Sequence, residues 1–186
     1  MTILASVETP DWVWFEAGLA YDNARLPQAL MLTGLAAHTS AYVDAGLRSL
    51  YWLMTQQTTS AGLFRPVGTA GFGEQRQRPR AFDQQPVEAA ATIAACLTAW
   101  RADGEAEWKA IARRVFAWFS GSNDLSVALV DPETGSCRDG LHPDRANENC
   151  GGESVLSYLL SFAEIRQLAR SNIESAQPQP LRAVVA

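Results

Sequence analysis

Phe82-Asp83-Gln84-Gln85-Pro86-Val87-Glu88-Ala89-Ala90-Ala91 leads into a run, residues 87–100, that is almost wholly small or apolar. Proline is at home in the first turn of a helix, so the helix starts near Pro86. A helix that is apolar on every side is buried on most sides. The polar string before it, an acid and two side-chain amides, must then sit at one end of a core. Two further segments repeat the arrangement. Tyr21-Asp22-Asn23 precedes a second apolar run (residues 26–37), and Asn147-Glu148-Asn149 precedes Gly151-Gly152-Glu153-Ser154-Val155-Leu156. The polar strings recur at intervals of about 60 residues, enough for one helix out, one helix back and two connections. That period puts all three helix starts at the same end of the molecule.

The intervening helices have a different pattern. Over residues 41–54, Val43, Leu47, Leu50 and Met54 form a stripe opposite Asp44 and Arg48. Over residues 107–119, Trp108, Ile111, Ala112, Val115 and Trp118 lie opposite Lys109 and Arg113. Such helices have one wet face, so inner and outer helices alternate. A fifth helix, residues 153–169, is again apolar (Val155, Leu156, Leu159, Leu160, Phe162, Ile165) and has no outer partner after it. Residues 171–186 include Gln-Pro-Gln-Pro and read as a flexible tail, leaving a helical-hairpin domain over 1–170. The expected fold is all-α, with antiparallel helical hairpins forming a partial (α/α) toroid. Its open inner surface calls for a second copy or a neighbouring domain.

Charge and composition narrow the partners. A formal net charge of -5 and a pI near 5.0 argue against nucleic acid, and the only local basic cluster is Arg76, Arg78 and Arg80. No run is apolar enough to cross a bilayer, so the expectation is a cytoplasmic protein with no membrane partner. Cys96, Cys137 and Cys150 make no disulfide framework and read as reduced thiols. The loop holding Cys137, His142 and Cys150 lacks zinc-site spacing, and Pro66-Val67-Gly68-Thr69-Ala70-Gly71-Phe72-Gly73 lacks the Lys-Ser/Thr ending of a phosphate loop. Neither a metal nor a cofactor is expected. His38 closes an inner helix, where a cation is favoured.

The two long connections, residues 58–82 and 120–152, both return to the end that carries the acids. Long loops in a compact domain are usually functional or disordered. Aromatics interleaved with acids and amides suit a saccharide, whose C–H faces stack on rings and whose hydroxyls need polar fans. Asp22, Asp83, Glu88 and Glu153 are the candidate catalytic residues, since glycoside chemistry pairs one protonated with one ionised carboxyl group. Burial in the first turn of an inner helix would hold Glu88 and Glu153 protonated. Trp14, Glu16, Tyr21, Asn23, Phe82, Gln84, Gln85, Asn147 and Asn149 are the candidate substrate contacts, with Phe64 and Phe72 as further aromatics. The competing reading makes Trp14 and Phe15 core anchors and each acid a helix cap.

Trp14-Phe15-Glu16, Tyr21-Asp22-Asn23-Ala24-Arg25-Leu26-Pro27-Gln28-Ala29-Leu30, Phe82-Asp83-Gln84-Gln85-Pro86-Val87-Glu88-Ala89, Asn123-Asp124-Leu125, Asp139-Gly140-Leu141 and the string from Asn147 to Ser154 resemble the helical region of bacterial proteins associated with group 1 glycosyltransferases. That region is similar to the six-hairpin, (α/α) toroid glycosidase-like superfamily, and the resemblance covers about residues 12–168. It implies a carbohydrate-active or carbohydrate-binding domain linked to glycosyl transfer or glycoside processing, and carries no catalytic assignment. The chain shows no Rossmann-like nucleotide-sugar pattern, so the alternative is a non-catalytic module that docks on a glycosyltransferase or self-associates.

Overall fold

The computed structural model describes residues 7–71 and 75–176. Phe72 and residues 177–186 of the expected tail lie outside the described residues. Within them the chain forms α1 (Arg25–Ala36), α2 (Ser40–Gln56), α3 (Pro86–Asp103), α4 (Ala106–Ala117) and α5 (Gly152–Ala176). Short 3-10 turns occupy Thr69–Gly71 and Trp118–Ser120. The described residues contain no strand, only isolated bridges such as Gln84 with Leu141, so the chain is all-α. No helix among them is long and apolar enough to cross a membrane.

α1 and α2 form one antiparallel hairpin, with Gly46 of α2 set against Met31 and the Pro27 carbonyl, and Gly34 of α1 against Val43. α3 and α4 form the second. Gly104 ends α3 at φ 79°, a left-handed conformation natural to glycine, and its N–H bonds to the Trp100 carbonyl at 2.9 Å. α3 packs against each of the other four helices. It buries Ala89, Ala91, Ile93, Ala95, Cys96 and Ala99 completely, as its sequence demands. Small side chains allow this close approach. The expected alternation also holds for α4, which buries Trp108, Ile111, Ala112 and Val115.

Three expectations change. α1 is not enclosed: only Pro27, Met31 and Gly34 are buried, while Leu26, Leu32 and Leu35 face solvent. In α5 much of the apolar stripe is exposed (Leu156, Leu159, Leu160, Phe162), while Val155 and Ile165 pack partly against the core. Leu156 and Leu160 are 60% and 61% exposed, whereas Ser154, Ser157, Ser161 and Leu168 are buried. Serine can occupy that contact because its hydroxyl bonds back into its own helix, as Ser161 Oγ does to the Ser157 carbonyl at 2.7 Å. Finally, α5 runs on to Ala176, beyond the expected end at residue 169.

Above the helices, the backbone around Asp83 is clamped between two loops. Gly68 N–H bonds to the Arg80 carbonyl at 3.2 Å and Thr69 N–H to the Asp83 carbonyl at 3.1 Å. On the other side Gln84 and Leu141 exchange N–H···O bonds of 3.1 and 2.9 Å. A Cβ on Gly68 would strike the Phe82 carbonyl, and one on Gly140 the Gln84 carbonyl. Gly140→Ala should therefore lower the unfolding free energy by about 1–3 kcal/mol in urea titration, the usual cost of forced overpacking. Gly152→Ala, which meets nothing within 4 Å, should be neutral or slightly stabilising.

Candidate functional site

The starts of the three inner helices do share one end. The Asp22 N–H and the Asn23 side-chain amide, just ahead of α1, both donate to the Glu88 carboxyl in the first turn of α3, the second at 3.2 Å. Tyr21 Oη donates to Glu153 Oε2 in the first turn of α5 at 2.9 Å. Neither Asp22 nor Asp83 serves as a cap. The N-cap residues of α1 and α3 are Ala24 and Gln85, and neither helix has a side-chain cap bond. Both acids instead adopt the left-handed backbone, at φ 56° and 55°. Aspartate visits that region more readily than most residues, at some cost in energy. Matching conformations at matching places in two hairpins extend the sequence repeat into geometry.

Glu88 differs from its sequence expectation. It is fully buried, and its two oxygens are taken by Asp22 and Asn23. A carboxyl group so enclosed cannot touch a ligand; it holds the loop that presents Asp22. Burial pushes its pKa up to about 7, although the Asn23 and Asp22 bonds pull the other way. Glu153, expected to be buried, is exposed. Tyr21 is half exposed, and its hydroxyl is pushed up to about 12, first by desolvation and then by the Glu153 bond, so it remains a donor. Asp22 lies 3.5 Å from Arg25 Nε. Burial raises its pKa, with Arg25 opposing.

Next to this cluster is a second. Asp83 Oδ1 lies 2.6 Å from His142 Nδ1, and both side chains border a cavity of about 200 Å³ together with Thr69, Gln85, Asp139 and Asn147. The clusters are joined by Asp139, whose Oδ1 accepts the Gly151 N–H at 2.5 Å just before α5 begins. Gln84 also lines the cavity, but its side chain is turned inward as a strut. Fully buried, it accepts from Trp118 Nε1 at 2.8 Å and donates to the Ala81 carbonyl and Asp124 Oδ2, each at 2.7 Å. Asp124 in turn holds Arg65, with Nε–Oδ2 at 2.9 Å. Burial alone would raise the Asp124 pKa, but the Arg65 and Gln84 bonds hold it below its ordinary value.

The remaining candidates divide between core and surface. Trp14 is fully buried and stacks on Trp52 with centroids 5.7 Å apart, so it is a core anchor and not a sugar platform. Phe64 is buried, and Phe82 is partly buried against the core. Asn23 is buried on Glu88, while Glu16 and Asn149 are exposed away from the cavity lining. The sequence reading placed the loop of His142 and Asp139 at the rim and took Asn147 and Asn149 from it, but weighed His142 only for zinc and gave Asp139 no role in the site. Among the described residues no three metal-ligating side chains come together. The chain matches no family model and no curated protein.

The buried Glu88 makes stability depend on pH. Its folded pKa of about 7 exceeds the ordinary 4.5, so its contribution is fully present below about 4.5 and is lost as the pH rises through about 7. The gap corresponds to about 3 kcal/mol, at about 1.4 kcal/mol for each pKa unit. Wild type should lose stability across that window, and Glu88→Gln, with no proton to lose, should show a flatter profile. Urea melts of both proteins across this pH range check the sign.

Proposed function

We propose that the rim formed by the starts of α1, α3 and α5 binds a saccharide and takes part in glycosyl transfer or glycoside processing. The reading rests on one observation: the acids ahead of the inner helices, free of capping duty, stand at the same end beside a polar cavity. Asp22, Asp83 and Glu153 supply acceptors for sugar hydroxyls, Tyr21 supplies a ring and a donor, and Gln85 and Asn147 supply amides. The cavity is smaller than the roughly 300–1,000 Å³ of sites that enclose drug-sized ligands, so it suits one sugar ring rather than a chain. In this reading the two hairpins and α5 are a sector of an (α/α) toroid of the glycosyltransferase-associated kind. Three free cysteines fit work in the cytoplasm.

The rim makes a specific demand. On a saccharide array followed by titration of any hit, Glu153→Gln and Tyr21→Phe should weaken binding by about tenfold or more, equivalent to about 1.4 kcal/mol. Melting curves should barely change, because the Tyr21–Glu153 bond is exposed. Binding that survives both substitutions would remove this side of the rim from the site.

A second reading is favoured by the leucines that α1 and α5 expose. These faces flank the buried α3, and burying a leucine fully is worth about 1.5–3 kcal/mol. A second copy, with its α1 against α5, would cover both. Light scattering should then give a dimer that Leu160→Glu converts to a monomer. A wild-type monomer would leave the faces to a glycosyltransferase domain.

A further inference from the structure

His142 brings an imidazole to the rim, where it lines the cavity and reaches solvent. We propose that His142 is a catalytic base, with Asp83 as its positioning residue, acting on a hydroxyl or water in the cavity between the 66–71 and 139–147 loops. This assignment rests on the saccharide reading of the rim.

The pair is accessible and firmly held. Side-chain exposure is 31% for His142 and 46% for Asp83, in contrast to the enclosed Glu88. An ionised carboxylate can only accept, so at 2.6 Å the Nδ1 of His142 carries the proton toward Asp83. In the neutral ring, Nε2 is then left with a free electron pair. Both residues sit on fixed backbone. The Gln84–Leu141 exchange ties their neighbours together, Thr69 N–H holds the Asp83 carbonyl, and His142 N–H bonds to the Arg145 carbonyl at 2.8 Å. The glycines at 68 and 140 exist at these crossings because no side chain fits there. The left-handed Asp83 is therefore stabilised from both sides, as expected where strain serves a site.

The step balances as follows. Nε2 takes the proton of the hydroxyl or water, and the O–H electron pair stays on oxygen. That pair forms the new bond to the anomeric carbon. The old C–O pair departs with a leaving group of the class that is stable as an anion, such as a phosphate or a nitrophenolate. The imidazolium, its charge offset by Asp83, returns the proton to solvent.

The chain has only two histidines, so His38 is an internal reference. Long-range ¹H–¹⁵N spectra of histidine-labelled wild type should show neutral His142 protonated at Nδ1, and exposed His38 mainly at Nε2, as in a free histidine side chain. Asp83→Gly, which keeps the left-handed backbone without strain, should shift His142 toward the Nε2 form. An Nε2-protonated His142 in wild type overturns the proposal without any variant. Turnover is read with two probes, a panel of dinitrophenyl glycosides and p-nitrophenyl acetate, whose hydrolysis needs a base but no sugar. With melting curves unchanged, His142→Gln should cost about 100-fold or more on any active glycoside, in the range of a lost general base. If the glycosides are silent but ester hydrolysis falls with both His142→Gln and Asp83→Gly, the base stands and the saccharide reading falls. Hydrolysis of both probes no faster than buffer, or rates indifferent to His142→Gln, overturns the base itself.

Discussion

Gln84 and Glu88 bracket the start of the buried helix α3, and the shape of the rim depends on the hydrogen bonds these two side chains make to the neighbouring loops. Both side chains are fully enclosed. Gln84 reaches Trp118, Ala81 and Asp124; Glu88 reaches back to Asp22 and Asn23. Between them they join the loop before α1, the loop after α4 and the helix itself. Losing either would strand buried donors or acceptors, which costs more than a hydrogen bond contributes. The two residues lie on either side of the rim's chemistry and hold it in shape, leaving Asp83 half exposed and Asp22 partly so.

The alternation of inner and outer helices was legible because it depends on periodicity, which a single chain displays directly. α3 and α4 follow their patterns closely: small residues throughout the first, one apolar stripe in the second. α1 and α5 were misread for a common reason. Hydrophobicity shows that a face wants cover but not whether cover is present, and at the two flanks of α3 it is not. Serines share the packed side of α5 with Val155, Tyr158, Ile165 and Leu168, and the bond of Ser161 to its own helix leaves no mark in a hydropathy pattern.

For the site, the three polar strings correctly marked the end where chemistry concentrates. Which side chains face a ligand was beyond reach, because burial reverses the roles of similar residues. Glu88 and Glu153 both open inner helices, yet one is sealed and the other exposed. Gln84 and Gln85 are adjacent on the cavity wall, yet the first is fully buried as a strut and the second is partly exposed. His142 was missed because its partner, Asp83, lies 59 positions away and in a different hairpin connection. Asp139-Gly140-Leu141 held the available hint, a glycine where the backbone must approach another segment.

The Tyr21–Glu153 bond joins residues 132 positions apart, and the Asp22–Glu88 bond spans 66. The hairpins, by contrast, close through turns of a few residues. Chain entropy must be spent before distant contacts give anything back, which delays them in folding. The helices therefore form ahead of the rim. An early-trapped chain would show nearly full helical signal while its polar end is still unassembled, so helicity is a poor gauge of whether the site exists.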